Sequence, residues 1–335
     1  MENWGFAKVW NDSLMRVDTR DMKPRDNLWA SELGKAPIDL YLKMKGTQPS
    51  NPPNARSLRK FEAGNVFEWI VSLILKRAGI LQDQQHWSAH QYEGLLNVTG
   101  KADFIAGGIP DYEKWQNELS QLELPEVFMR ASLAVMEHFK IEYPNGLIEI
   151  PLEIKSTGSF MFETMEKTNK PNKNHRIQTF HYLKSENRPR ANLTYICRDD
   201  LRIMEFTVLN PSFVEDEYKG HIEEISKYFY ANERPPLAPL LVFDEDEGKF
   251  RKNWNVEYSN YLTMLYGFKE PDEYGRPYQA IASKFNRVMG RVKRGDKMTD
   301  KNEEVLKEIK NLGYDLDAII TKFTSDTEEE LENQK

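Results

Sequence analysis

One stretch limits the architecture more than any other. Leu147-Ile-Glu-Ile-Pro-Leu-Glu-Ile-Lys155 alternates without a break. Ile148, Ile150, Leu152 and Ile154 fall on one side and Glu149, Pro151, Glu153 and Lys155 on the other, the period of two of a β-strand. Such a strand needs an apolar layer against one face, while Glu153 and Lys155 emerge together from the other.

Around this strand the period is helical. From Ser57 to Ala78 the apolar residues Phe61, Val66, Phe67, Ile70, Val71, Ile74 and Leu75 recur at helical spacing and Gly79 suits a stop, which predicts a long, largely buried helix. Residues 92–106 read as strands with a turn, 125–140 as a helix, Thr164 to Asn174 as a loop rich in Lys and Asn, and His175 to Lys184 as a helix. Strands over 192–197 and 202–208 and a helix over 215–230 follow. This order predicts an α/β protein with a central mixed sheet flanked by helices, carrying helical additions at both ends. Residues 1–54 form an N-terminal helical segment closed by a Pro-rich loop, 55–239 the core with an inserted helical element at 107–146, and 240–335 an accessory helical segment with an acidic tail.

Composition removes several classes. The single cysteine, Cys197, cannot build an internal disulfide, a four-thiolate zinc site or a four-thiolate iron-sulfur cluster. No run approaches the roughly 18 apolar residues that cross a bilayer, and the N-terminus lacks a basic region followed by an apolar one, so a soluble, cytoplasmic protein without membrane contact is expected. The net charge of −7 argues against coating nucleic acid by bulk charge. Most of that excess lies in the last ten residues, where five acidic side chains face only Lys335, so a locally basic cleft stays open.

Glu-x-Lys recurs at Glu217, Glu247 and Glu308, so the pair Glu153 and Lys155 means little without its setting. Here that setting is Gly100-Lys-Ala-Asp103 on an upstream strand, Gln178 and Tyr182 at i, i+4 on a downstream helix, and Gly64-Asn-Val-Phe-Glu68 inside the long helix. In that order the four pieces resemble the PD-(D/E)XK nuclease superfamily, specifically its RecB-like exonuclease branch, across about residues 57–210.

The resemblance implies a restriction-endonuclease-like core and a divalent-metal-dependent DNA nuclease, expected to be an exonuclease of recombination, repair or phage DNA processing. Phosphodiester hydrolysis calls for hard cations, and carboxylates suit Mg²⁺ or Mn²⁺. Asp103 and Glu153 would hold the ion; the resemblance adds the backbone carbonyl of Ile154 and the carboxylate of Glu68. Lys155 would orient or polarise the attacking water, and Gln178 and Tyr182 would position water or the DNA backbone.

Three positions depart from the family, among them Ala102 where a proline usually precedes the motif's aspartate. Phe67 stands where a histidine usually precedes the helix glutamate, and Ala36 where iron-sulfur relatives carry cysteine, so no iron-sulfur cluster is expected. DNA contacts are expected at Arg56, Arg59 and Lys60 and at Lys170, Lys173 and Arg176, with Lys167 in the same loop; a recombination or replication protein is a further expected partner. A basic helix over 277–294, with Lys284, Arg287, Arg291 and Arg294 on one face and Ile281, Phe285, Val288, Met289 and Val292 on the other, is a second basic surface.

Plainer readings stand beside these. Glu153 and Lys155 could be a solvated strand face, Glu68 a salt bridge to Arg59 or Lys60, and Gln178 and Tyr182 ordinary helix surface. His86 and His90 on one strand would lie about 13 Å apart, too far to share a metal. An endonuclease with the same site, or an inactive DNA-binding subunit that keeps the fold, remains an alternative.

Overall fold

The structure, a computed structural model, describes residues 6–17, 22–244, 249–269, 282–292, 294–311 and 314–320. The chain is α/β, with a mixed central sheet flanked by helices. Two compact units divide it, one of residues 1–48 and 53–235, the other of 49–52 and 236–335.

In the first unit the strands are β1 (Asn27–Trp29), β2 (Leu81–His90), β3 (Asn97–Gly108), β4 (Leu147–Thr157), β5 (Ala191–Cys197) and β6 (Ile203–Val208). The helices are α1 (Phe6–Val17), α2 (Pro37–Met44), α3 (Ala55–Arg77), α4 (Tyr112–Ser120), α5 (Glu126–Glu142), α6 (Ser159–Thr168), α7 (Lys173–Ser185) and α8 (Ser212–Ala231). β2 lies antiparallel along one edge of β3 from Leu81–Ala106 to His90–Val98. The other edge of β3 is shared: its end pairs antiparallel with β4 (Phe104–Leu152 to Gly108–Leu147) and its start pairs parallel with β1 (Asn27–Asn97 to Trp29–Thr99). β4 runs parallel to β5, and β5 antiparallel to β6. β3 and β4 therefore part between residues 99 and 104, and the carboxylates lie at this fork.

Both faces of the sheet are covered. On one face Leu28, Val98, Ala102, Ile177, Phe180, Tyr182, Leu193, Tyr195, Tyr218 and Ile222 form the main core with α7 and α8. On the other, Leu75, Ala78, Phe104, Leu152, Ile154 and Ile196 pack beneath α3. The alternation of β4 is present, but Pro151 and Glu153 are as buried as Leu152 and Ile154, because α7 crosses the face that looked solvated. Ile148, near the strand's start, is 59% exposed.

Two expectations change, and one strand escapes the sequence pattern. The long helix is not largely buried: Phe61, Val66, Trp69, Ile70 and Ile74 are all exposed, while Leu58, Ser72 and Leu75 face inward. Its apolar residues are spread around the axis, so one stripe meets the sheet and the rest meet solvent. Residues 81–90 form a strand that their polar sequence, Leu-Gln-Asp-Gln-Gln-His-Trp-Ser-Ala-His, conceals, since an edge strand needs few apolar residues. The first part of the Lys- and Asn-rich loop is helical: α6 runs to Thr168 and ends at Asn169, whose φ of 50° is the left-handed stop that asparagine tolerates.

The second unit contains the hairpin β7 (Leu241–Asp244) and β8 (Lys249–Lys252), the short helices α9 (Trp254–Glu257) and α10 (Leu262–Tyr266), a helix α11 over 282–292 and α12 (Asp300–Asn311). Its core joins Leu241, Phe250, Val256, Leu262, Phe285, Val288, Met289, Val305 and Ile309. Of the basic helix's apolar face, Phe285, Val288 and Met289 are buried as expected; residues 277–281 lie outside the described residues.

Candidate active site

Asp103 stands on β3 one residue before the first β3–β4 pair, Phe104–Leu152, and the same register places it opposite Glu153. Asp103 and Glu153 are 7% and 1% exposed. One Asp103 carboxylate oxygen accepts a 2.8 Å hydrogen bond from the Ile154 backbone N–H, which fixes the second oxygen's direction as well. Glu153 Oε1 accepts from Gln178 Nε2 at 2.7 Å and pairs with the Lys155 ammonium from the same strand face. Gln178 Nε2 also donates to the Tyr182 hydroxyl at 3.0 Å, so the i, i+4 pair on α7 forms one relay ending on Glu153. Glu153 Oε2 is buried with no hydrogen-bonding partner.

Electrostatics agree with the geometry. Burial raises the Glu153 carboxyl to about 8; Lys155 opposes the rise, and Asp103 and Glu68 add to it. Burial likewise pushes Asp103 above the usual carboxylate range against the pull of Lys155. Glu68, on α3, is raised to about 7 by burial and then by Asp103. Burial works against the charge on Lys155, yet Glu153 and Asp103 outweigh it and hold the ammonium above its ordinary value. Three carboxylates thus share one ammonium, an excess of negative charge in a low-dielectric setting that a divalent cation would offset.

Carboxylate oxygens around an orphaned Glu153 oxygen fit Mg²⁺ or Mn²⁺. Among the described residues no three His, Cys, Asp or Glu side chains already form a cage for an ion. Mg²⁺ does not require one, because it is usually held by one or two carboxylates with water and substrate phosphate completing the shell. Asp103 and Glu153 could supply that pair. Phe67 packs against the core beneath α3 instead of facing this cluster as a ligand.

Glu68 does not take the plain salt bridge with Arg59 or Lys60. Its partner is the Gln85 amide at 3.3 Å, while Arg59 turns onto Asn11 and lies 5.9 Å from the ring of Trp10 on α1. Sequence reasoning passed over Gln85. It sits in β2 between the pairs Gln84–Phe104 and His86–Ala102, beside Asp103, with a φ of 54°. A left-handed glutamine inside a strand is uncommon. No sequence signal marks it, because glutamine shows no preference for that conformation.

The expected DNA-contact residues divide. Arg56, Lys60, Lys167 and Lys170 are exposed. Lys173 and Arg176 both converge on Glu217 of α8, Arg176 at 2.7 Å, which neutralises much of their charge. His86 meets Asp83 at 2.6 Å and Glu186 at 3.2 Å, whereas His90 contacts Tyr92 with ring centroids 4.7 Å apart; the two do not share a site. His181 is fully buried between Tyr218, 2.8 Å away, and Ser88, 3.2 Å away. Cys197 is buried. No described helix is long and apolar enough to cross a membrane.

No family model and no curated protein matches the chain. Solved structures with a similar backbone course include the crystal structure of SSO0001, at 12% identity and TM-score 0.40 over 70% of this chain and 89% of that one. Two others are of LHK-Exo. One is in complex with dAMP, at 12% identity and TM-score 0.39 over 67% and 93% of the two chains. The second is described as an alkaline exonuclease from Laribacter hongkongensis, at 12% identity and TM-score 0.38 over 67% and 95%. Likeness this distant carries no weight in assigning the chemistry of the Asp103–Glu153 cluster.

Proposed function

We propose that this chain is a divalent-metal-dependent deoxyribonuclease, an exonuclease hydrolysing phosphodiester bonds of DNA. The carrying observation is the fully buried Glu153, one oxygen fixed by Lys155 and Gln178 and the other unpartnered, with Asp103 opposite it on β3. Leaving a buried carboxylate oxygen without a partner costs about 1–3 kcal/mol or more, so its retention points to a ligand.

Asp103, Glu153 and the Ile154 carbonyl would hold Mg²⁺ or Mn²⁺, which when bound would neutralise non-bridging phosphate oxygens and make water a nucleophile near neutral pH. The remaining work belongs to side chains. Lys155 keeps its proton and holds a positive charge beside the reacting phosphate. Gln178, steadied by Tyr182, prevents Glu153 from rotating away. Glu68, held by Gln85, could take a second ion or a proton. Recombination, repair and phage genome processing are the settings this chemistry suits, with DNA as the substrate and a recombination or replication protein as a possible partner.

The test compares linear, end-blocked and closed circular DNA with Mg²⁺ or Mn²⁺. Linear DNA should be degraded, end-blocked and circular DNA spared, and EDTA should stop the reaction. Glu153→Ala and Lys155→Ala should fold and be inactive. Cleavage of circles would make the enzyme an endonuclease, and cleavage surviving both substitutions would remove the site assignment. Phe67, packed partly buried against the core where the family carries a metal-binding histidine, favours one second reading: a DNA-binding subunit without turnover. Calorimetry with Mn²⁺ separates the two, since binding lost in Asp103→Asn supports the enzyme.

A further inference from the structure

His175 has no part in the relay on Glu153, yet its position ties it to the same cluster. It opens a stripe on α7 at i, i+3 and i+7 with Gln178 and Tyr182, the two residues that lead to Glu153. Its partner is Tyr195 on β5, whose hydroxyl lies 2.9 Å from His175 Nδ1. Tyr195 is in turn the register partner of Lys155 across the parallel β4 and β5 pair, so both side chains leave the sheet on one face. His175 therefore stands at the Lys155 end of the cluster, as Gln178 stands at the Glu153 end.

The proton on the ring can be placed by matching donors to acceptors. The hydroxyl of Tyr195, a residue only 1% exposed, already accepts from the Asn172 N–H at 3.2 Å. It has one proton of its own to place, and among the described residues His175 Nδ1 is the acceptor within reach. A proton on Nδ1 would leave the phenol O–H buried without a partner, so Nδ1 accepts and the imidazole carries its hydrogen on Nε2. Burial and then Lys155 lower the pKa of His175 to about 3, and a place in the first turn of a helix opposes a cation as well, so the ring is neutral at working pH. No described residue hydrogen-bonds Nε2, and that atom is not sealed from solvent as His90 Nε2 is.

We infer that His175 is a further catalytic residue, a neutral donor whose Nε2–H bonds a non-bridging oxygen of the scissile phosphate beside Lys155. The phosphate rests on the nuclease reading; the tautomer does not. A fixed donor aimed at charge that grows in the transition state stabilises it while neither gaining nor losing a proton. Lys155 brings a full charge but shares it with Glu153, whereas His175 brings a directed N–H that no carboxylate of the cluster engages. An Nε2 that carries hydrogen has no lone pair for a metal, so this ring does not replace the histidine missing at Phe67.

The experiment takes two measurements on the full chain. Long-range proton–nitrogen NMR of the histidine rings in EDTA should show His175, assigned by its absence from His175→Gln, as neutral and protonated on Nε2. In cleavage of linear DNA with Mg²⁺, His175→Ala should lower kcat roughly 100- to 1000-fold with a smaller change in KM. His175→Gln, which keeps an amide N–H near the place of Nε2, should recover part of that loss, and Tyr195→Phe, which frees Nδ1 to take the proton, should lower kcat as well. Mn²⁺ binding by calorimetry should match the parent in His175→Ala. A parent ring protonated on Nδ1 or charged, a folded His175→Ala with the parent's kcat, or Mn²⁺ binding lost in that variant would each overturn the inference. Should His175→Ala fail to fold, a Tyr195→Phe protein with the ring proton moved and kcat unchanged overturns it equally. A parent that cuts no DNA removes the nuclease reading and the phosphate with it; a parent that cuts, with His175→Ala cutting as fast, removes the role of His175 alone.

Discussion

Replacing Gly100 by alanine tests why the Gly-x-x-Asp strand and the Gln-x-x-x-Tyr helix occur together. Gly100 is not held at a left-handed φ, so backbone strain does not require glycine there. Space does. A Cβ at Gly100 would lie 2.9 Å from Tyr182 Cε1, 3.0 Å from Ala30 Cβ and 3.4 Å from His181 Cδ2. Tyr182, Ala30 and His181 are each 1% exposed or less, and Ala30 has no rotamer to change, so α7 itself must lift from β3.

Overpacking of this kind costs about 1–3 kcal/mol. The stiffer unfolded chain returns about 0.4–1 kcal/mol. A net loss of about 1–2 kcal/mol should lower the melting temperature by roughly 3–6 °C for a unit of this size. Because Tyr182 moves, the Gln178 contact to Glu153 should loosen, and cleavage should fall more than stability does. Gly64, the glycine of the α3 motif, is the control: a Cβ there meets only Ser156 Oγ at 3.8 Å, so Gly64→Ala should stabilise the helix by up to about 1 kcal/mol. Differential scanning calorimetry on both variants checks the pair. A Gly100→Ala protein as stable as the parent would refute the close-approach explanation.

Two further outcomes follow from buried groups. His181 is held neutral, its pKa lowered to about 3 chiefly by burial, so below pH 6.5 the unfolded chain takes up a proton that the folded one refuses. Its contribution to stability should therefore fall by about 1.4 kcal/mol between pH 7.5 and 5.5. Glu153 and Glu68 act in the opposite sense, because their raised values make the folded state bind protons first, and so the histidine is read as the difference between parent and His181→Gln in urea titrations with EDTA. Equal pH slopes in the two proteins would contradict a neutral buried imidazole. Gln85→Gly should relieve the left-handed backbone by about 1–2 kcal/mol while removing the amide that holds Glu68, giving a chain more stable yet weaker in Mn²⁺ binding by calorimetry. A less stable variant would show that the φ of 54° is not strained.

The legible part of the fold was its strongest periodicity. β4, α5, α7, β5, β6 and α8 lie within a few residues of where alternation and helical spacing put them, and Asp103, Glu153, Gln178 and Tyr182 meet as their order suggested. What stayed hidden was set by tertiary placement. Nothing in Glu149, Glu153 and Lys155 distinguishes a solvated strand face from one roofed by α7, since both carry charge. The Gly100 approach shows where that roof is specified: a glycine too small to hold the helix away, fifty-three residues before Glu153.

The exposed apolar arc of α3 and the buried charge of β4 are two consequences of one arrangement. A strand buried on both faces normally carries apolar residues on both. β4 carries Glu153 and Lys155 on the face that α7 covers, so part of the interior area that would favour folding is given to ions. A buried ion pair adds little stability against apolar residues of similar volume, and its unpartnered Oε2 subtracts more. The neighbouring strand β3 answers with Ala102, Phe104 and Ile105, and α7 with Ile177, Phe180 and Leu183, all buried, so the polar cluster is ringed by packed apolar side chains. That ring keeps the carboxylates within reach of one another. Folding forces against solvation are thereby held at the fork of β3 and β4, where binding of a divalent cation would release them.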